Sequence, residues 1–167
     1  MRWLLNCKGQ SIVEITVLTP LILIVLYVPF DFGMAIIAGH ITQNAVRDGA
    51  RIASTTDSMD SSKADTLATQ VYNNLPPSLI SGSTTKRVTV NFYSAANCAQ
   101  NVEVIAQGSY NFFFYRLMAL LQMSSPTETP ITRTTKMWYD KQPDLNGGTT
   151  GSVTFCSGTA AATGTYP

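Results

Sequence analysis

The chain has 167 residues, a formal net charge of +1 at pH 7, and 13% charged residues against 45% hydrophobic ones. That balance is too weakly basic for an electrostatic grip on nucleic acid. The residues after His40 are enough for one domain with a modest core.

The first nine residues, MRWLLNCKG, carry Arg2 and Lys8 and no acid. Positive charge just before an apolar run holds this end in the cytoplasm. From Ile15 to Phe30 there is no charge at all, a length and purity that suit a membrane span. A helix from Ile12 to His40 would be ~43 Å long at ~1.5 Å per residue. The hydrocarbon core of a bilayer is only ~30 Å thick, so the helix should cross it and project beyond the far face.

Glu14 is the informative residue in this run. A carboxylate in a spanning segment costs on the order of 3 kcal/mol near the bilayer centre, and less toward the edge. Something must offset that cost. A cut between Gly9 and Gln10 would create an amino group one helical turn before Glu14, and the two could pair within a subunit or between neighbours. Pro20 and Pro29 fall on opposite helix faces at ~100° per residue, so their kinks would oppose each other. Pro20, which has no N–H, also removes the hydrogen bond that the Thr16 carbonyl would accept. That leaves either a loosened turn or one satisfied by the Thr16 or Thr19 hydroxyls. Asp31 sits where the span should leave the apolar layer. It is either an interfacial acid reaching for water or a polar contact with a partner subunit's helix. Gly33 and Gly39 are small positions that let another helix approach.

Residues 41–54 should continue the helix, with Ile41, Ala45, Gly49 and Ile52 on one face. Gly49 in mid-helix costs ~1 kcal/mol relative to Ala, which points to close packing on a sheet or a neighbour. Arg47 and Arg51 stand one turn apart, and Asp48 can pair with Arg51. These charges form either a solvated face or a subunit contact.

The strings GQSIVE (Gly9 to Glu14), DFGMA (Asp31 to Ala35) and NAVRDGARIA (Asn44 to Ala53) together resemble one family. A basic leader ending in glycine, with glutamate at the fifth position after it, is similar to type IV prepilins. Pro20, the acidic-aromatic-glycine step and the GAR block resemble the TadE-like branch, the minor pseudopilins of tight-adherence (Tad) pili. The likeness covers residues 8–54 and becomes diffuse beyond them. It implies cleavage after Gly9 by a prepilin peptidase and a single-pass inner-membrane protein with a cytoplasmic N-terminus and a periplasmic domain. It also implies later transfer into a pilus. The implied partners are other pilin and pseudopilin subunits and the Tad assembly platform. The assembly residues it implies are Glu14, Pro20, Asp31, Gly33, Arg47, Gly49 and Arg51.

After a polar break, Ser62 and Asp65 make a capping box. Ala64, Leu67, Ala68, Val71 and Leu75 then repeat at helical spacing until Pro76-Pro77 stops the helix. Residues 87–93 alternate, with Val88, Val90 and Phe92 on one face, and residues 101–108 place Val102, Val104 and Ala106 on one face. The two runs read as an antiparallel pair. The run YNFFFYRLMALLQM ends in a short helix and is either core or an exposed apolar patch used in assembly or at a membrane surface. Ile131 to Tyr139 reads as a third strand at an edge. From Asp140 the chain turns rich in Gly, Thr and Ala and reads as an irregular tail.

Of three cysteines, Cys7 lies in the leader. Cys98 and Cys156 remain as an even pair in the exported part. They are either free thiols or a disulfide closing a loop of roughly 60 residues.

No active site is legible. His40 is the single histidine, so a Ser-His-acid triad or a histidine-rich metal site has almost no material. No P-loop, HExxH, CxxC or GxGxxG occurs. The expectation is no catalytic residue, metal, cofactor, small-molecule substrate or nucleic acid.

The expected architecture is α+β: a long transmembrane and juxtamembrane helix, then a small domain with an antiparallel sheet of about three strands and two short helices. The expected segments are a leader (1–9), a span (10–40), a pilin-like domain (41–139) and a tail (140–167). The rival reading is an anchored or secreted adhesin module with an ordinary signal sequence, cut near the small residues Ala35 to Gly39.

Overall fold

The computed structural model describes residues 7–94, 98–115, 122, 127–140 and 156–167, with side chains from Ile12 onward. Helix α1 (Cys7–Ser54) is 48 residues long, about 72 Å at 1.5 Å per residue. It has two unlike halves. From Ile12 to Phe30 almost every side chain is exposed. From Asp31 onward the helix buries a stripe of Ala38, Thr42, Ala45, Val46, Gly49, Ala50 and Ala53.

That stripe is rotated from the one expected. Ala45 and Gly49 are on it, but Ile41 and Ile52 are each 43% exposed. Small residues rather than large ones mark the buried face, because the helix lies close on its neighbours. A Cβ on Gly49 would stand 2.2 Å from Val71 Cγ2.

Helix α2 (Ser61–Asn73) follows. Its N-cap is Asp60, whose carboxylate accepts from the Lys63 N–H at 2.7 Å. The expected Ser62–Asp65 capping box is therefore displaced by an acid one residue before the helix, a stronger acceptor for the free N–H groups of the first turn. Ala64, Leu67, Ala68 and Val71 are buried as the spacing predicts.

The sheet has five antiparallel strands, not about three: β1 (Leu79–Ile80), β2 (Arg87–Tyr93), β3 (Asn101–Asn111), β4 (Glu128–Trp138) and β5 (Ala162–Tyr166). Strand β3 pairs with β4 on one side and with both β2 and β1 on the other, so β1 extends the line of β2. Strand β5 pairs with the outer side of β2, leaving β4, β5 and the short β1 each with one strand partner. The expected edge position of the 131–139 run holds. Both helices cover one face of the sheet. Val88, Val90, Phe92, Val102, Val104 and Ala106 point into that layer and are fully buried.

Strand β5 corrects the reading of the tail as irregular throughout. Its inward residues are Ala162 and Gly164, too small to show a hydrophobic alternation. They are small because α2 lies directly on them: a Cβ at Gly164 would meet the Ala64 carbonyl carbon at 2.2 Å and the Asp65 nitrogen at 2.3 Å. Asp65, freed from capping, accepts from the Thr165 N–H at 3.1 Å. The short helix expected at the C-terminal end of the aromatic run falls on residues that, but for Gln122, lie outside the described part; before it, Phe113–Tyr115 forms a helical turn.

Candidate functional site

With Ala38, Thr42 and Val46 packed on the sheet, the N-terminal half of α1 extends outward from the domain as an apolar rod. The helix has a mean hydropathy of 2.3 over its best window and is long and apolar enough to cross a membrane. Gly9 and Gln10 lie in its first turn. In the uncut chain the Gln10 nitrogen is a peptide nitrogen and carries no charge. Glu14 is exposed on the rod.

The helix runs unbroken through Pro20 and Pro29. The Thr16 hydroxyl donates to the Ile12 carbonyl at 2.8 Å, and the Thr19 hydroxyl donates to the Ile15 carbonyl at 2.7 Å. Both reach back one turn, and neither reaches the Thr16 carbonyl that Pro20 leaves without its usual partner. The turn from Thr16 to Pro20, inside the uncharged stretch that begins at Ile15, therefore lacks one backbone hydrogen bond.

At the other end of the rod, Asp31 is only 2% exposed. Its Oδ2 accepts from the backbone N–H of Phe114 at 2.6 Å. The acid thus neither reaches water nor waits open for a partner helix; its own domain engages it. The Phe32 ring packs on Phe112 (5.3 Å between centroids) and on Tyr115 (6.2 Å). Phe112 packs in turn on Tyr110 and Tyr115. This clamp joins the exit of the rod to the end of β3. Burial, and then the nearby Asp31 carboxylate, push the Tyr110 hydroxyl above its ordinary value. The sequence pointed to Asp31 by its position but gave no sign that the FFFY run would supply its donor.

The remaining candidates scatter. Gly33 faces open space. Gly39 is buried, with Arg133 Nη2 3.0 Å from the position of a Cβ. Gly49 is spent on α2. Arg47 and Arg51 are exposed, and Asp48, Arg51, Ile52, Thr55 and Asn74 line a shallow open depression. The ion pair found among the described residues joins Lys136 and Glu103 at 3.2 Å, not Asp48 and Arg51.

That pair sits on the outer, polar face of the sheet, which sequence reasoning did not single out. The Tyr93 hydroxyl donates to Glu103 Oε2 at 2.8 Å. Burial works to raise the Glu103 pKa, but the hydrogen bonds from Tyr93 and Lys136 outweigh it and hold the carboxyl below its ordinary value. The register places Thr163, Asn91, Glu103 and Lys136 in one row across four strands, and beside it Thr165, Thr89, Ile105 and Thr134 in the next.

Cys98 and Cys156 are bonded, with 58 residues of sequence separation. The Cys156 N–H also donates to the Ala99 carbonyl at 3.0 Å. No group of three or more His, Cys, Asp or Glu side chains that could hold a metal is found among the described residues.

Residues 9–51 match the family model of TadE, described as TadE-like protein. The N-terminal segment of this chain is TadE-like, and the match ends within the part of α1 that packs on the sheet. No curated protein and no solved structure matches significantly.

Proposed function

We propose, from the premise that residues 9–51 mark a TadE-like protein of the Tad pilus system, that the chain is a minor, non-enzymatic structural subunit of that assembly. A prepilin peptidase cuts between Gly9 and Gln10. The apolar half of α1 then holds the subunit in the inner membrane, with the sheet domain in the periplasm, until an assembly platform moves it among other pilin and pseudopilin subunits. The mechanism is helix exchange. Exposed residues such as Leu18, Leu21 and Val25 trade lipid for the helices of neighbours. Glu14 meets a mature amino terminus, its own or a neighbour's.

The observation that carries this reading is the TadE-like match, which contains the GQSIVE string, on a helix whose apolar half is almost wholly exposed among the described residues. A second feature weighs against an ordinary signal sequence. Cleavage near Ala35 to Gly39 would cut α1 beside the buried Ala38 and remove the Asp31 clamp. The buried polar joint makes little sense for a segment that is discarded.

Amino-terminal sequencing of the exported protein tests the cleavage. A start at Gln10 is expected, and a start near His40 would favour the signal-sequence rival. Changing Glu14 to Val should leave membrane insertion intact and abolish pilus assembly. Normal fibres from that variant would remove the docking role of Glu14.

A further inference from the structure

We infer that the aromatic turn after β3 is a second membrane anchor, with Phe113 seated in the acyl chains of the leaflet on the domain's side, beside Leu23 and Tyr27 of α1. The inference rests on the reading of α1 as a membrane span, and not on its cleavage or assembly. Phe113 is 71% exposed, unusual for a large apolar ring. Phe114, its neighbour, is buried. Phe113, Phe114, Leu23 and Tyr27 together line one apolar crevice of about 220 Å³.

The depth follows from the helix. Tyr27 and Leu23 lie four and eight residues before Asp31, which is ~6 and ~12 Å further along the axis at 1.5 Å per residue. If Asp31 marks the level where the span leaves the apolar layer, the Phe113 ring sits below that level. This matches the ~5–10 Å at which interfacial apolar groups lie in a bilayer. The position is not adjustable. The Phe114 N–H is fixed to Asp31, and Phe32 packs against Phe112 with tilted rings and against Tyr115 edge to face. A span that enters lipid at Leu23 therefore carries Phe113 into lipid with it. The same contacts explain how a carboxylate survives at this level, since the turn covers it and supplies a donor.

Lipid is the occupant the structure favours, because the surface of Phe113 is continuous with the exposed Leu23, Leu26, Tyr27 and Phe30 of the rod. A single span would leave the rigid body of rod and domain free to rotate and tilt in the bilayer. Two anchors fix which edge of the sheet faces the membrane.

Nitroxide labelling of the full chain in phosphatidylethanolamine–phosphatidylglycerol vesicles tests this. Cys7 is changed to Ser, and single cysteines replace Phe113, Leu18 or Thr163 in turn. The disulfide-bonded cysteines do not label. Relaxation by oxygen, which concentrates in lipid, is compared with relaxation by a water-soluble nickel chelate. The expected oxygen-to-nickel ratio at position 113 is close to that at 18 and severalfold above that at 163. A ratio at 113 like that at 163, with 18 still in lipid, overturns the anchor while sparing the span. An aqueous ratio at 18 overturns both. A label at 113 shielded from both agents would place a second protein chain there and also overturns the inference. Phe113 is exposed and contributes nothing to the core, so its replacement leaves the fold intact.

Discussion

Replacing Asp31 with Ala should unfasten the domain from the rod without unfolding either. The side chain is buried and its Oδ2 holds the Phe114 N–H at 2.6 Å. Removing the carboxylate takes away one charge-assisted hydrogen bond and strands a shielded donor, a loss of about 1.5–3 kcal/mol. Where local opening limits exchange, that corresponds to a fall of roughly ten- to a hundredfold in the protection of the Phe114 amide. Hydrogen exchange of the full-length protein in nanodiscs, resolved to the 112–115 peptide, reads this directly. Asp31→Asn keeps an acceptor oxygen and should lose less. The amides of β2 and of the centre of β3 should keep their protection in both variants, since their ladders do not involve Asp31. If the Phe114 amide in Asp31→Ala stays protected to within about threefold of the parent, another group holds it and the joint is not the acid. If β2 loosens equally, the acid supports the whole domain rather than the exit of the helix.

Three further outcomes are expected. Gly164→Ala forces a methyl against the backbone of Ala64 and Asp65, which cannot rotate away as a side chain could. A loss of about 1–3 kcal/mol in urea unfolding should follow, and an unchanged midpoint would refute the close approach of α2. Changing Cys98 and Cys156 together to Ala opens a loop of 58 residues. On the chain-entropy model this removes about 4 kcal/mol, read as a lower denaturation midpoint, and a shift under ~1 kcal/mol would contradict that account. Glu103 is held below its ordinary 4.5 in the folded state. It therefore binds its proton less readily folded than unfolded, and its stabilising contribution is present above about pH 5 and lost as pH falls through the folded value. The acid limb of stability against pH should flatten in Glu103→Gln; an identical limb would mean that other carboxylates set it.

Much of the domain was legible because its pattern came from large residues. Val88, Val90 and Phe92, with Val102, Val104 and Ala106, announced an antiparallel strand pair, and the two runs do pair so, with Val90 against Val104 and Phe92 against Val102. What stayed hidden was built from small residues or from contacts distant in sequence. The edge strand 162–166 reads as low complexity because α2 presses on it and only Ala and Gly fit. The buried stripe of α1 was misplaced toward Ile41 and Ile52 for the same reason: hydrophobicity favours large side chains, while close approach selects Ala and Gly. A two-residue strand such as Leu79–Ile80 has no periodicity to detect. Asp31 was conspicuous as an acid at the end of an apolar run, yet its donor lies 83 residues further on, and backbone donors have no sequence signature.

The joint at Asp31 constrains how such a subunit could leave a membrane. α1 is one helix, but its exposed apolar half and its sheet-packed half suit different solvents, and the transition between them falls on a buried acid and a cluster of aromatic rings. Because Phe112, Phe114 and Tyr115 are fixed to the helix there, the domain cannot stay at the bilayer surface while the rod slides out past it. Rod and domain must move as one body. Flexibility, where extraction calls for it, is left to the stretch around Pro20, whose missing hydrogen bond is not replaced by Thr16 or Thr19. In an assembly of the proposed kind, bending would thus be confined to the buried part of the fibre near Glu14. The attitude of the sheet would be set by the clamp before the subunit ever meets its neighbours.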